Sequence, residues 1–196
     1  LDVRYNVVQW VHRSTRGWSY GASISDPRTG EIIKGHVSLG SLRIRQDFLI
    51  AQALQAPYAH NNSNDDFALQ MALARIRQLS EIVHTLGFAH NFAASTNNRS
   101  SVMDYPHPKF SLKEDGSINF SDAYDTKIGA WDKVTVAYFY QDFPKDKNEA
   151  KELNLILKNA AKKGLKYLSD QDARSKGSAN SAAHLWDNGG NIHDEL

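Results

Sequence analysis

The segment from residue 80 to residue 90 constrains the fold of this chain more than any other. It reads Ser-Glu-Ile-Val-His-Thr-Leu-Gly-Phe-Ala-His. Ser80 and His84 are four residues apart, so on a helix their side chains lie on one face and can approach the same ion. Gly87 can adopt the left-handed conformation that ends a helix, which would turn the chain so that His90 comes back towards that ion. The segment therefore predicts a helix, a sharp turn and a returning histidine.

The helix predicted to carry this segment begins well before it. Apolar residues recur at three- and four-residue steps, which is the period of one helix face. They are Leu69, Ala72, Ile76, Leu79, Val83 and Leu86. The register passes unbroken through Ser80 and His84. The pattern therefore indicates that no residue has been deleted from this helix, and that any departure from a motif at position 80 is a substitution.

Composition excludes several classes of protein. The 196 residues suit one domain, and 41% hydrophobic with 23% charged residues is ordinary for a globular chain. With 23 Lys+Arg against 22 Asp+Glu, the net charge of +1 gives no field that would attract nucleic acid or an anionic membrane. The absence of cysteine excludes disulfides, thiol catalysis and cysteine-ligated zinc. No apolar run approaches the roughly 18 residues of a membrane span.

The segments before the motif predict a small sheet followed by a helix. Runs of β-branched and aromatic residues predict three strands, at residues 3–12, 18–25 and 31–39. The sequence Asp-Pro-Arg-Thr-Gly at residues 26–30 predicts that a turn joins the last two strands as a hairpin. Ser41 is the predicted N-cap of a helix to about Gln55, and a polar loop is predicted at residues 57–66. The apolar side of that helix would consist of Leu42, Phe48, Leu49 and Leu54.

After the motif the chain is predicted to be mainly helical. Residues 91–100 are small and polar and predict a loop, and residues 109–120 suggest a short hairpin. Helices are predicted at residues 126–141 and at residues 148–163, with Gly164 just beyond the second. The tail from Ser169 reads as a loop.

A second segment, Ser101-Val102-Met103-Asp104-Tyr105, follows the first in the chain. Together the two resemble the metzincin zinc peptidases, whose motif reads His-Glu-x-x-His-x-x-Gly-x-x-His. In that family a tight turn further along, the Met-turn, places a methionine beneath the metal. Other parts of the chain resemble one bacterial metzincin family of large envelope proteins. These parts are Tyr5–Trp10, Gly17–Tyr20, Asp26–Ser41, Ile128–Asp132, Ser169–Arg174 and His184–Gly189.

The resemblance implies an α+β, metzincin-like fold: a small twisted N-terminal sheet with two helices, and a mainly helical C-terminal subdomain. It implies one catalytic domain over residues 1–196, divided near residue 90 and cut from a longer precursor. The strand from Ile32 to Leu39 resembles the metzincin cleft-edge strand, which pairs with an extended peptide substrate.

Site residues also follow from the resemblance, position by position. His84 and His90 match zinc ligands, and Glu81 matches the general base that takes a proton from the attacking water. Ser80 stands where the first zinc ligand is a histidine, and a neutral hydroxyl on a short side chain is a poor zinc ligand. Tyr105 lies two residues after Met103. Its hydroxyl would reach the metal or the developing oxyanion, or its ring would simply pack beside the turn.

The remaining histidines carry less information. His12, His36 and His60 are interpreted as structural, and His184 and His193 as facing solvent. For His107, which follows the Met-turn closely, the alternative of a substitute metal ligand stays open.

The implied function is zinc-dependent hydrolysis of peptide bonds, weakened by Ser80. The alternative is an inactive pseudopeptidase that keeps a peptide- or protein-binding surface. The expected cofactor is a weakly bound zinc ion, and the expected partner is a peptide or protein substrate, with no nucleic acid and no membrane span. The expected location is extracellular or periplasmic.

Overall fold

The computed structural model describes residues 2–15, 17–54, 69–74, 80–177, 180–191 and 193, without the side chains of Glu81 and Arg174. The predicted loop at residues 57–66 and the helical positions Ile76 and Leu79 lie outside this description, as does His60. The chain divides into two compact units. Unit 1 is Leu1–Phe88 with Pro108–Thr126, and unit 2 is Ala89–His107 with Lys127–Leu196.

Unit 1 contains a three-stranded mixed sheet. Its strands are β1 (Val7–Val11), β2 (Tyr20–Ser25) and β3 (Ile32–Gly40), in the order β1-β3-β2. β1 is parallel to β3, and β2 is antiparallel to it. The predicted hairpin between β2 and β3 is confirmed, although β1 begins four residues later than its apolar pattern suggested.

The position of β3 corrects one prediction. The strand from Ile32 to Leu39 was expected at the edge of the sheet, but β3 is its central strand. The hairpin places β2 along one side of β3, and β1 pairs along the other. Since both sides are paired, β3 cannot accept an added peptide strand. Within the part of the chain that the structure describes, β2 and β1 each pair with β3 alone, so they are the edges.

Helix α1 (Ser41–Ala53) follows β3 directly. Its N-cap is Gly40 rather than Ser41, and no side chain caps it. The predicted apolar side is also wrong at two positions, because Leu49 is 49% exposed and Leu54 is 39% exposed. The residues that α1 buries are Asp47 and Ala51, one turn apart.

Asp47 can be buried because its carboxylate has partners. The hydroxyl of Tyr124 donates to it over 2.9 Å, and Arg43 forms an ion pair with it at 3.4 Å. Ala51, Met71, Ala123 and Tyr124 form the buried cluster of unit 1. The predicted short hairpin is confirmed as β4 (Ser111–Leu112) and β5 (Ile118–Asn119), and the aromatic rings of Phe110 and Phe120 beside it pack against this cluster.

Helix α2 (Ser80–Thr85) carries the motif and packs on the sheet against β2 and β3. Unit 2 contains a 3-10 helix (Phe92–Asn97), α3 (Ala130–Tyr140), α4 (Glu149–Lys162) and α5 (Asp170–Arg174). α3 and α4 agree with the predicted helices and pack on each other. No helix among the described residues is long and apolar enough to cross a membrane.

Two predicted loops of unit 2 are helical in part. The 3-10 helix occupies most of the small, polar run at residues 91–100, and its first four residues are buried. The tail begins with the short helix α5, because the carboxylate of Asp172 accepts hydrogen bonds from the backbone nitrogen and the hydroxyl of Ser169 and so fixes the first turn.

Candidate metal centre

The end of α2 has the predicted geometry. The last helical hydrogen bonds run from Leu86 N to Val83 O at 3.1 Å and from Gly87 N to His84 O at 2.9 Å. Gly87 then takes a φ of 85°, the left-handed conformation that a glycine adopts without strain. The chain therefore leaves the helix at the glycine, as its place in the motif indicates.

His84 is held by the turn that follows it. Its Nδ1 lies 2.9 Å from the carbonyl oxygen of Phe88. A carbonyl can only accept a hydrogen bond, so Nδ1 carries the hydrogen and the lone pair of the ring is on Nε2. This is the arrangement in which a histidine binds a metal through Nε2 while its other nitrogen donates to the protein.

Ser80 and Glu81 lie on the same short helix. Ser80 is half-buried, one turn before His84, so the two share a helix face as predicted. The side chain of Glu81, the predicted general base, lies outside the described residues, so its role stays a prediction.

His90 in unit 2 has a partner on each ring nitrogen. Its Nδ1 lies 2.5 Å from a carboxylate oxygen of Asp170, and its Nε2 lies 2.9 Å from the hydroxyl of Tyr105. The rings of His90 and Tyr105 also pack, with centroids 4.8 Å apart. The structure thus brings together His90 and Tyr105, which the sequence singled out, and adds Asp170. The ring of Tyr105 thus packs on His90 and its hydroxyl contacts that ring, and a contact of the hydroxyl with a metal or an oxyanion stays a prediction.

Asn91 fixes the chain beside His90. Its side chain is fully buried: the amide nitrogen donates to Lys166 O over 2.9 Å, and the amide oxygen accepts from Leu168 N over 3.1 Å. Its backbone nitrogen donates to Met103 O over 2.9 Å. One residue therefore ties the end of the motif both to the methionine segment and to the chain just before Asp170.

The methionine segment, Ser101–Tyr105, contacts a buried carboxylate. Asp132, only 2% exposed, accepts hydrogen bonds from the hydroxyl of Ser101 at 2.5 Å, from Val102 N at 3.0 Å and from Gly129 N at 2.6 Å. The hydroxyl of Ser101 in turn accepts from Met103 N over 3.0 Å. Met103 is buried, and its backbone is fixed from both sides.

A second buried carboxyl group stands between Met103 and Tyr105. Asp104 accepts hydrogen bonds from Ser95 N and from Tyr105 N, both at 2.7 Å. Burial raises the pKa of Asp104 to about 7, and the nearby Asp187 carboxyl adds to that effect. Burial also raises the pKa of Asp187 above its ordinary value. This side of the turn therefore holds two carboxyl groups whose pKa values are raised by burial.

Sequence reasoning missed Asp170, Asn91 and Asp132. The Ser-Asp-Gln-Asp sequence at residues 169–172 is a helix-start signal that would have placed Asp170 in a first turn. Nothing in the sequence separates Asn91 or Asp132 from other polar residues, because their importance comes from partners far along the chain.

The imidazole nitrogens of His84 and His90 are atoms that zinc binds, but two are fewer than the three protein ligands of a usual catalytic zinc site. Both motif imidazoles have an oxygen acceptor at Nδ1, which leaves the lone pair on Nε2. Among the described residues, no three histidine, aspartate or glutamate side chains form a group that could hold a metal ion. The ring of His107 contacts the side-chain amide of Asn188 at 3.2 Å. The alternative that His107 is a substitute metal ligand stays a prediction. His184 and His193 are exposed, as predicted.

Comparison with known proteins gives one match. The sequence model of a family described as Met-zincin matches residues 64–196, about two thirds of the chain. That stretch includes the helix-turn motif, the methionine segment and Asp170. Neither the curated proteins nor the solved structures contain a match to this chain.

Proposed function

Since the chain belongs to the Met-zincin family, we propose that it is a zinc-dependent peptidase whose metal affinity and turnover are lowered by Ser80. The observation that carries the proposal is the shared state of His84 and His90. Each has an oxygen acceptor at Nδ1 and the lone pair on Nε2. Two histidines held this way in a metzincin motif are suited to binding a metal through Nε2.

The proposed zinc ligands are His84 and His90. A bound zinc ion supplies Lewis acidity, which polarises the carbonyl of a peptide bond and makes water acidic near neutral pH. Ser80 adds little to this site, because its oxygen sits on a shorter side chain than an imidazole and is not an anion. A catalytic zinc site normally has three protein ligands, so a site with two should bind zinc weakly.

We assign proton transfer and hydrogen bonding to the substrate to two side chains of the protein. Glu81 is the proposed general base, which takes a proton from the attacking water and passes it to the leaving amine. The hydroxyl of Tyr105, 2.9 Å from His90 Nε2, is the proposed hydrogen-bond donor to the oxyanion that develops on the substrate.

The substrate is proposed to bind as an extended peptide along β2. Among the described residues, β2 is paired on one side only, by β3, and an unpaired strand edge offers backbone donors and acceptors to a peptide. The proposed location is extracellular or periplasmic, as in the envelope proteins that the sequence resembles. Immunoblotting of cell fractions for the natural protein tests it.

The alternative function is a pseudopeptidase that binds peptides without cleaving them. The set of only two imidazole ligands favours this alternative, because loss of one ligand weakens metal binding without altering the edge of β2. The two functions differ in what restoring the ligand should do.

The test is Ser80→His, with Ser121→His as a control that adds an imidazole at an exposed site outside the motif. Zinc affinity is measured by competition with a chromophoric chelator, and turnover with casein and a fluorogenic peptide library. Mutation of a residue that only hydrogen-bonds to a metal ligand typically lowers metal affinity about 10–100-fold. Because Ser80→His restores a ligand itself, we expect it to raise zinc affinity by at least that factor. Peptidase activity should rise with it, and Ser121→His should change neither.

Two results would decide against the proposal. Tight stoichiometric zinc in the unmodified chain, unchanged by Ser80→His, would show that Ser80 does not weaken the site. Tight zinc in Ser80→His without hydrolysis, while the unmodified chain still binds peptides, would favour the pseudopeptidase.

A further inference from the structure

We infer that Asp170 is a positioning residue for His90: its carboxylate holds the hydrogen of the imidazole on Nδ1 and thereby directs the Nε2 lone pair to the metal. The inference rests on the proposed zinc site for its purpose. Its geometry, the 2.5 Å contact between Asp170 Oδ2 and His90 Nδ1, is independent of that proposal.

Of these two partners of His90, Asp170 is the one that favours a single tautomer. The partner at Nε2 is the hydroxyl of Tyr105, and a phenol can either donate or accept a hydrogen bond. It therefore fits both tautomers equally well. An ionised carboxylate can only accept, so Asp170 requires the hydrogen on Nδ1. Tyr105 must then donate to Nε2, the nitrogen that a metal would take.

The contact depends on how the chain fixes Asp170. Asn91, the residue after His90, binds Lys166 O and Leu168 N with its side chain. The nitrogen of the next residue, Phe92, donates to Leu168 O over 2.9 Å. These bonds tie the chain around His90 to residues 166–168, which lead directly into α5.

Asp170 is the first residue of α5, and the Ser169–Asp172 contacts fix the backbone there. Its carboxylate is therefore presented by a helix start, not by a mobile side chain at a loop tip. The side chain of His90 is 21% exposed and that of Asp170 41%, so the pair is accessible yet ordered by its backbone contacts. Carboxylates placed behind metal-binding histidines orient the ring and raise its basicity.

The test uses Asp170→Ala and Asp170→Asn. Alanine removes the acceptor. Asparagine keeps an acceptor oxygen and removes the charge, so it should retain the tautomer and restore part of the function. Asp142→Asn, an exposed site in the same unit, is the matched control for loss of charge.

The first readout is the tautomer of His90 in metal-free protein, from long-range nitrogen–proton NMR of the imidazole rings above the pH at which they are protonated. We expect the Nδ1–H form in the unmodified chain and in Asp170→Asn. In Asp170→Ala the Nε2–H form, which free histidine prefers, should become substantial. The rings of His107 and His184 should not change, which separates a local effect from unfolding.

The second readout is zinc affinity by chelator competition. Asp170→Ala should lower it about 10–100-fold, Asp170→Asn should lower it less, and Asp142→Asn should leave it unchanged. A His90 ring that stays fully in the Nδ1–H form in folded Asp170→Ala would overturn the inference. If no variant and no restored motif binds zinc, the proposed function fails, whereas the tautomer measurement still decides the role of Asp170.

Discussion

At the scale of single residues, the backbone at Gly129, the N-cap of α3, lies very close to the backbone of Ser100 and Ser101. A Cβ atom at Gly129 would lie 2.0 Å from the carbonyl oxygen of Ser100 and 2.7 Å from Ser101 N. Only a residue without a side chain fits there. The close approach lets Asp132, three residues later, bond to both Gly129 N and the hydroxyl of Ser101.

Replacement of Gly129 tests this packing. Gly129→Ala should lower the free energy of unfolding by about 2 kcal/mol or more, because backbone must move to admit the methyl group. Gly190→Ala is the matched control: its Cβ would meet Thr96 O at 3.6 Å, an ordinary contact, and it should be nearly neutral. Urea denaturation measures both. Equal midpoints for the two variants would mean that the turn shifts without cost.

The pKa of Asp104 predicts how stability depends on pH. Burial raises it from 3.8 to about 7, so between these pH values the folded chain keeps a proton that the unfolded chain releases. The free energy of unfolding should therefore fall as the pH rises from about 4 to about 7, by a contribution on the order of 4 kcal/mol. Above about pH 7 this contribution should stay constant.

The measurement compares how steeply the free energy of unfolding changes with pH in each variant, not its absolute value. In Asp104→Asn the group no longer titrates, so the decline from about pH 4 to about pH 7 should flatten, whatever the variant costs in overall stability. Asp142→Asn should keep the slope of the unmodified chain. A slope in Asp104→Asn equal to that of the unmodified chain would assign the titration to other groups.

At the scale of elements, local signals predicted the helices and hairpins that depend on local contacts. The turn at residues 26–30 and α4 follow from residues adjacent in sequence, and both are confirmed. The buried side of α1 was predicted wrongly because Asp47 reads as polar, yet Tyr124 and Arg43 make its burial possible. The 3-10 helix was missed because its small, polar residues carry no helical period.

The start of α4 gives a prediction at this scale. The side chain of Asn148 accepts a hydrogen bond from Lys151 N over 3.0 Å and so caps the helix. Asn148→Ala should lower the free energy of unfolding by about 1 kcal/mol. Asn154→Ala, the same exchange at an exposed interior position of α4, should be neutral or slightly stabilising because alanine favours helix. Thermal and urea unfolding would show the contrast, and equal losses would exclude capping as the cause.

At the scale of the whole molecule, the chain passes between its two units three times, after residues 88, 107 and 126. His84 belongs to unit 1, whereas His90, Met103 and Tyr105 belong to unit 2. The sequence identified these residues because their spacing within two short segments is fixed by chemistry. It could not identify Asn91, Asp132 or Asp170, since each acts through a partner about 30 to 80 residues away.

The 80-residue separation of His90 and Asp170 has a consequence for biosynthesis. A nascent chain exposes the whole histidine motif long before the segment that orients His90 has been translated. Closing so long a loop also costs more entropy than forming the hairpin of β2 and β3, so this contact should form late in folding. An incomplete chain on the ribosome would therefore carry the complete histidine motif before the imidazole of His90 has its carboxylate partner.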